Sequence, residues 1–353
     1  MAAYLFGDLA IYCTAVAKSL RDVSCTKSNS TANNSSSSGG LNNMCWESLG
    51  LTKSDVYKIY VAIFVTILGP FAFFNVSKTK YLQMFTTVMR WTAFVSMITL
   101  SILRITDDNQ QHGSPPIIDL STAPMVFGVS VYAFMCHHSI PSLITPIENK
   151  TKVSSVLAAD YILIATFYLL LSFTGIFAFP TVPDLYTLAF KPETGNSVNI
   201  AITIVDYFLA LFPVLTLSTN FPIIAITLRN NLDTIMTDSS QTIAGLSPTA
   251  RKLLFPTVAI LPPALVALAT EDLGVLVSIT GAYAGAGIQY IIPCSLVFLA
   301  RKKLIQFEKE QNLNLKNPLQ SYFKHPGFIV VILVWSVLAV GLVTANFVIE
   351  AIK

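Results

Sequence analysis

The feature that most constrains this chain is a series of long apolar segments, each close to the length that spans a bilayer as a helix. Within hydrocarbon every backbone polar group needs an internal partner, so spanning segments are either helices or strands of a closed barrel. The segments exceed the roughly 9 to 11 residues that a barrel strand uses. The sequence therefore predicts an all-α integral membrane protein with about nine transmembrane helices, at 1–17, 58–74, 82–104, 124–144, 157–179, 199–226, 253–270, 274–299 and 327–349.

Composition and motifs favour a membrane protein without catalytic chemistry. Hydrophobic residues make up 53% of the 353 and charged residues 12%, whereas a soluble domain carries about 25% charged residues. The net charge of +3 is too small to indicate a nucleic-acid partner. The sequence contains no nucleophile elbow, zinc-protease helix, phosphate loop or dinucleotide fingerprint. We therefore expect no enzyme activity, no metal site and no cofactor beyond a coupling Na⁺ or H⁺, with the lipid bilayer as the main partner.

The charges are sorted by loop, which predicts an orientation. Thirteen lysines and arginines lie in alternate loops, and the positive-inside rule assigns those loops to the cytosol. The other loops carry fewer basic residues, mostly within one long loop, and several carboxylates. The N-terminus is then cytosolic and the C-terminus lies outside the cell or in a lumen, in a plasma, lysosomal or other internal membrane that the pattern does not distinguish. The thirteen are Lys78, Lys80, Lys150, Lys152, Arg229, Arg251, Lys252, Arg301, Lys302, Lys303, Lys309, Lys316 and Lys324.

The long loop at 18–57 has the sequence of an extracellular or luminal segment. A Ser/Asn/Gly-rich run within it contains N-glycosylation acceptors at Asn29, Asn33 and Asn34. Cys25 and Cys45 bracket this run, as a disulfide closing such a loop would. We interpret the loop as glycosylated and disulfide-closed. The alternative is two free thiols and unused acceptors.

Ionisable residues at membrane depth are costly, so each is a candidate for function. Arg90 lies nine residues inside the third segment, roughly 14 Å along a helix, and it needs a partner. Asp8 is the best candidate, and the pair would serve either as structural support between two helices or in gating. Asp206, in the sixth segment, is a further ionisable group at depth.

The fourth segment predicts an interrupted helix. Gly128 and Pro141 bracket aromatic and ionisable residues that include His137 and His138. Pro141 cannot donate to the helix ladder, and interrupted helices at membrane depth expose groups that hold ions or zwitterions. Adjacent histidines point about 100° apart on a helix, so a shared metal is disfavoured. A proton relay or a substrate hydrogen bond is one interpretation, and packing against a neighbouring helix is the other.

Two further segments carry polar residues with alternative explanations. The run 216–222 places hydroxyls and an amide before Pro222, which would either coordinate a small cation or stabilise a kink. The run 279–290 is rich in glycine and alanine, which allow helices to approach closely. Close packing is the simpler explanation there, and a site lined by Thr280, Tyr283 or Gln289 is the alternative.

Several blocks resemble the transmembrane protein 104 family, within the amino acid/auxin permease-like group of transporters. The resemblance extends along essentially the whole chain, and the blocks around His137-His138-Ser139 and Thr219-Asn220-Phe221-Pro222 are the most specific. The blocks are YLFGDLAIY (4–12), KTKYLQ (78–83), VYAFMCHHSIPSLITP (131–146), STNFPIIAITLRNN (218–231) and ITGAYAGAGIQY (279–290).

This resemblance implies an eleven-helix, inverted-repeat fold of the leucine-transporter type. The nine segments would be helices three to eleven of a single polytopic membrane domain at 1–353, with 121–299 as the complete second five-helix repeat and 300–326 as a basic cytosolic loop. The family has two further helices before the first segment seen here. In that family the first helix forms the substrate and ion site together with helix six, so transport by this chain would depend on whether those two further helices precede it.

The implied function is ion- or proton-coupled secondary transport of neutral amino acids by alternating access. The resemblance places Phe134 and His138 of helix six at the substrate, with Tyr132 and Tyr283 as further candidate contacts. Ser218 and Asn220 match positions near a cation, and His137 or Asp206 would carry a coupling proton. The alternative function is a non-transporting nutrient sensor or membrane scaffold on the same fold.

Overall fold

The computed structural model describes residues 1–25, 44–46, 49–74, 80–108, 110–116, 118–120, 122–148, 150–190, 200–239, 245, 247–311, 323 and 325–352. Each of the nine predicted segments contains helix. The helices are α1 (Ala2–Ser24), α2 (Lys53–Leu68), α3 (Lys80–Ile105), α4 (Ala123–Ala133), α5 (Ile140–Ile144), α6 (Val153–Ala178), α7 (Ile200–Ser239), α8 (Pro248–Ala269), α9 (Leu273–Ile279), α10 (Ile292–Gln311) and α11 (Pro326–Ile352).

Shorter elements complete these helices. A 3₁₀ turn at Gly69–Phe73 extends α2, and others lie at Lys150–Lys152 and Tyr186–Phe190. Two π-helical turns, Thr280–Gly285 and Gly287–Ile291, connect α9 to α10. In the long loop, β1 (Met44–Trp46) pairs antiparallel with β2 (Leu51–Thr52).

Apolar helix surface that no protein covers confirms that this is an all-α integral membrane protein. Within the described residues, seven helical segments are long and apolar enough to cross a membrane. The span in α6 has a mean hydropathy of 2.0, and its most apolar stretch of 18 residues contains no buried residue. The span in α11 has a mean hydropathy of 2.7 with 17% buried. Helices this apolar are stable with an uncovered surface only where lipid surrounds them.

Helix α1 differs from these because it lies in the centre of the bundle. It packs against α2, α7, α8 and α9. Leu9 and Val16 are fully buried in the same cluster as Tyr57 of α2 and Phe221 of α7. The Tyr57 hydroxyl donates to the carbonyl of Ala267 at 2.7 Å. Protein on most sides of α1 is what allows this helix to carry a carboxylate at membrane depth.

Charged contacts gather at the two ends of the bundle. At one end Lys18 pairs with Asp184 at 2.7 Å and Arg21 pairs with Glu271 at 2.5 Å. The opposite end of α8 holds a pair between Arg251 and Asp233. The end of α1 therefore lies beside the segments that follow α6 and α8, three places that the charge pattern assigns to the same side.

The disulfide between Cys25 and Cys45 joins the end of α1 to the β-hairpin, with Cα atoms 5.0 Å apart. This geometry agrees with the proposed closure of the long loop. The three glycosylation acceptors Asn29, Asn33 and Asn34 lie outside the described residues.

Helices extend beyond the predicted apolar segments, furthest in α1, α7 and α10, which corrects the loop bounds. Helix α1 continues to Ser24 and α7 to Ser239, while α10 continues to Gln311, so the proposed loops at 18–57 and 300–326 both begin as helix. Hydropathy marks where a helix leaves hydrocarbon and does not mark where the helix ends. In α10 the extension consists largely of Lys, Gln, Glu and Leu, which are strong helix formers in water.

Helix α4 crosses the first π turn with backbones in close approach. A Cβ atom added to Gly281 would lie 1.9 Å from the carbonyl oxygen of Gly128. A Cβ atom added to Gly128 would lie 2.4 Å from the carbonyl oxygen of Ser278. No relaxed structure accepts such distances to backbone atoms, so small residues here serve close packing, the simpler of the two explanations for this glycine-rich run.

We expect Gly281→Ala to lower the melting temperature of the detergent-purified protein, because the added methyl group must displace the α4 backbone. Overpacking of this kind costs about 1 to 3 kcal/mol. Gly287→Ala is the matched control, since an added Cβ there meets nothing within 4 Å. Equal melting temperatures for the two variants would show that the crossing is not closely packed.

Candidate functional site

The fourth apolar segment is an interrupted helix. Helix α4 ends at Ala133 and α5 begins at Ile140, and we call residues 134–139 between them the break. The N–H of Phe134 bonds back to the carbonyl of Ser130 at 3.1 Å. Within the described part of the chain, the N–H groups of Cys136, His137 and His138 donate no hydrogen bond. Backbone groups of this kind persist at membrane depth only beside protein, water or a solute.

A buried carboxylate faces the break. Asp8 of α1 is 4% exposed, and the hydroxyl of Tyr132, the penultimate residue of α4, donates to its Oδ1 atom at 2.7 Å. Tyr4 lies one turn before Asp8 on α1. Its ring centroid is 5.9 Å from that of Tyr132 and 5.6 Å from that of His138. We call Tyr4, Asp8, Tyr132 and His138 the Asp8 cluster.

The predicted pairing of Asp8 with Arg90 is wrong. Among the ion pairs between described residues, none joins these two side chains. The Arg90 side chain is exposed on α3, and α3 packs mainly against α6 and α7. Asp8 instead faces α4. There the neutral hydroxyl of Tyr132 donates the hydrogen bond to the buried carboxylate, in place of the cation that the sequence had suggested as its partner.

His137, the other histidine of the break, faces a different environment from that of His138. His137 lines a cavity of about 450 Å³ with Gln289 and Tyr290 of the second π turn and residues of α10 and α11. The Nδ1 atom of His137 and the Oε1 atom of Gln289 are buried without a hydrogen-bond partner among the described residues, as is Nδ1 of His138. Buried polar atoms are rarely left unpaired, and three of them around one break indicate a place where water or a solute binds.

Two predicted substrate residues lie apart from the Asp8 cluster. Phe134 lines a separate, mostly apolar cavity of about 760 Å³ between α4 and α6, and its ring packs against those of Tyr161 and Tyr168. The Tyr283 side chain is 42% exposed and its hydroxyl lies 2.9 Å from that of Thr344 on α11. The structure therefore brings Tyr132 and His138 together and directs Tyr283 away from α4.

The proposed ion residues lie on α7, which remains helical through Pro213 and Pro222. The hydroxyls of Thr216 and Thr219 bond to carbonyls of their own helix. Because Pro222 has no N–H, the carbonyl of Ser218 lacks its usual helical donor. The side chains of Ser218 and Asn220 are half-buried, and in the described region they make no hydrogen bond. The carbonyl and both side chains are oxygen donors of the kind that a small cation takes.

Asp206 is also half-buried on α7, without a hydrogen bond or ion pair to any described residue. It precedes Ser218 by twelve positions, roughly 18 Å along the helix. Asp206 and the Ser218 region are therefore separate places along α7.

Sequence reasoning overlooked Tyr4, which completes the Asp8 cluster. The available signal was spacing, because Tyr4, Asp8 and Tyr12 recur every four residues and so share one helix face. A polar stripe on an otherwise apolar helix indicates where the helix meets a polar neighbour.

The comparison with family models matches residues 1–349 to the family described as transmembrane amino acid transporter protein. Similar curated proteins include the transmembrane protein 104 homolog of Drosophila melanogaster, 45% identical over 352 residues, which covers 97% of this chain and 68% of that protein. Transmembrane protein 104 of Homo sapiens is 44% identical over 354 residues, with 99% of this chain and 69% of that protein covered. No solved structure matches.

The hydrogen bond between Tyr132 and Asp8 should stabilise the fold. We expect Tyr132→Phe to lower the melting temperature, since leaving a buried acceptor without its donor costs about 1 to 3 kcal/mol. Tyr207→Phe is the control, because Tyr207 lies on α7 with 45% of its side chain exposed.

A double-mutant cycle with Asp8→Leu separates this bond from general packing. If the bond matters, Tyr132→Phe should cost little once the carboxylate is gone. Full additivity of the two single substitutions would contradict the contact.

Proposed function

Because the chain belongs to the transmembrane amino acid transporter family, we propose that it moves neutral amino acids across a membrane by ion- or proton-coupled alternating access. The proposal assigns its nine helical segments to helices three to eleven of an eleven-helix inverted-repeat fold, with 121–299 as the second repeat. Family membership supports the class of function. The names of the relatives specify no substrate, so the amino acid is part of the proposal.

The break beside a buried carboxylate is the observation that carries this proposal. A zwitterion needs donors for its carboxylate and acceptors for its ammonium group. Backbone N–H groups at Cys136, His137 and His138 offer the donors. Asp8, together with the unpartnered Nδ1 atom of His138, offers acceptors beside the same break. Interrupted helices hold small charged solutes near the membrane midplane in other transporter folds by the same physical means.

Coupling is assigned to two candidate places. In a Na⁺-coupled protein, the oxygens of Ser218 and Asn220 before Pro222 would hold the cation. In a proton-coupled protein, His137 or Asp206 would carry the proton, and the position of His137 in a cavity beside the break favours it over Asp206.

The proposed orientation puts the N-terminus in the cytosol and the loop at 18–57 outside or in a lumen, where it is glycosylated. We expect glycosidase to increase the gel mobility of the expressed chain and the combined Asn29→Gln, Asn33→Gln and Asn34→Gln substitutions to remove that change. An acceptor mutant that still responds to the enzyme, or an unmodified parent chain, would contradict this part of the proposal.

Uptake of labelled neutral amino acids into vesicles containing the purified chain tests the function. We expect uptake that depends on a Na⁺ or proton gradient, and we expect His138→Ala to abolish it while the yield of folded protein stays the same. The reason is that His138 lies in the break, packs against Tyr4 and leaves a buried Nδ1 atom for the solute.

His112→Ala is the matched control, since His112 is exposed and distant in sequence from the break. Equal loss of yield and uptake in His138→Ala would assign that residue to packing. Saturable amino-acid binding without flux would favour the sensor over the transporter.

A further inference from the structure

A basic cavity opens at the end of the bundle opposite the Lys18 and Arg21 ion pairs. Its volume is about 560 Å³, within the range of small-molecule sites. Three elements form its walls: the 3₁₀ turn after α2, the C-terminal half of α7 and the first turns of α8. The lining residues are Phe73, Phe74, Arg229, Asn230, Asp233, Pro248, Arg251, Lys252 and Phe255.

The lining contains three cations and one carboxylate. Asp233 accepts from Nε of Arg251 at 3.2 Å, and Nη2 of Arg251 also donates to it. Arg229 donates to the carbonyl of Ala72 at 2.8 Å and to the side chain of Asn230 at 2.9 Å. Lys252 is exposed and makes no ion pair with a described residue. The cavity therefore holds positioned positive charge in excess of its own carboxylate.

The start of α8 adds to this positive potential. Ser247 caps the helix through a hydrogen bond from the N–H of Ala250 at 3.2 Å, and the first turn contains no acidic residue. Arg251 and Lys252 stand close behind it, although a helix N-terminus favours anions and disfavours cations. An anionic ligand in the cavity would offset this arrangement, which is otherwise electrostatically unfavourable.

Aromatic side chains at the cavity indicate which kind of phosphate-bearing ligand would fit it. Phe73 is 41% and Phe74 is 64% exposed at the cavity, at the end of an apolar span. Exposed phenylalanines at the end of a span lie at the boundary between the lipid headgroups and the acyl chains. We propose that this cavity binds the phosphorylated headgroup of an anionic membrane lipid, with its phosphate between Arg229, Arg251 and Lys252 and its acyl chain against Phe74.

Binding of short-chain phosphatidylinositol bisphosphate to the purified full chain tests the proposal. We expect saturable binding, none with phosphatidylcholine of the same chain length, and weaker binding of inositol trisphosphate and inorganic phosphate. Lys252→Gln should weaken lipid binding roughly fivefold, as expected for one basic residue at a lipid surface. Phe74→Ala should weaken binding of the lipid and leave that of inositol trisphosphate unchanged.

Lys302→Gln is the matched control, because Lys302 is an exposed cation on α10 that does not line the cavity. An equal effect of Lys302→Gln and Lys252→Gln would overturn the site, since it would show a general surface potential. Inositol trisphosphate or inorganic phosphate binding as tightly as the lipid would overturn the lipid assignment. Because binding is measured without transport, the result is independent of the uptake experiment.

Discussion

The structure depends on how a carboxylate is accommodated in the middle of an apolar bundle. Asp8 is buried on the central helix α1, where an ion in hydrocarbon would be costly. The Tyr132 hydroxyl meets this need at 2.7 Å and so connects α1 to the last turn of α4, directly before the helix is interrupted. The same contact that stabilises the buried group therefore fixes the position of the break. The Tyr4 ring packs beside both Tyr132 and His138, next to this contact.

Close backbone packing between α4 and the π-helical connection also holds the break in position. Gly128 and Gly281 bring α4 against the π-helical connection between α9 and α10, and that connection also supplies Gln289 to the cavity beside His137. The two adjacent histidines thus face different polar environments, one shared with Asp8 and the other with Gln289. π turns often mark functional positions because they redirect side chains without ending the helix. The break therefore lies between two separate polar environments.

Much of this arrangement was predictable because a bilayer imposes length, helicity and charge sorting on any chain that crosses it. The nine segments and the interruption before Pro141 follow from hydropathy and from the missing proline N–H. Pairing across the bundle was not predictable in the same way. Arg90 was assigned to Asp8 because a cation is the obvious partner, whereas the fold turns α3 toward α6 and α7 and provides a tyrosine. The direction of Tyr283 likewise depends on the π turn, which sequence periodicity does not reveal. Where a helix continues beyond the lipid, as α10 does, its end depends on helix propensity. Hydropathy does not measure that propensity.

The central claim is that the break is a solute site reached from water. The most direct measurement is the rate at which a membrane-impermeant thiol reagent modifies Cys136, the native cysteine of the break, in a chain with Cys13 and Cys294 replaced by alanine. The account predicts modification from one aqueous side, slowed when a neutral amino acid is present. A cysteine at this position that stays unreactive from both sides, or that reacts at the same rate with and without amino acids, would contradict it.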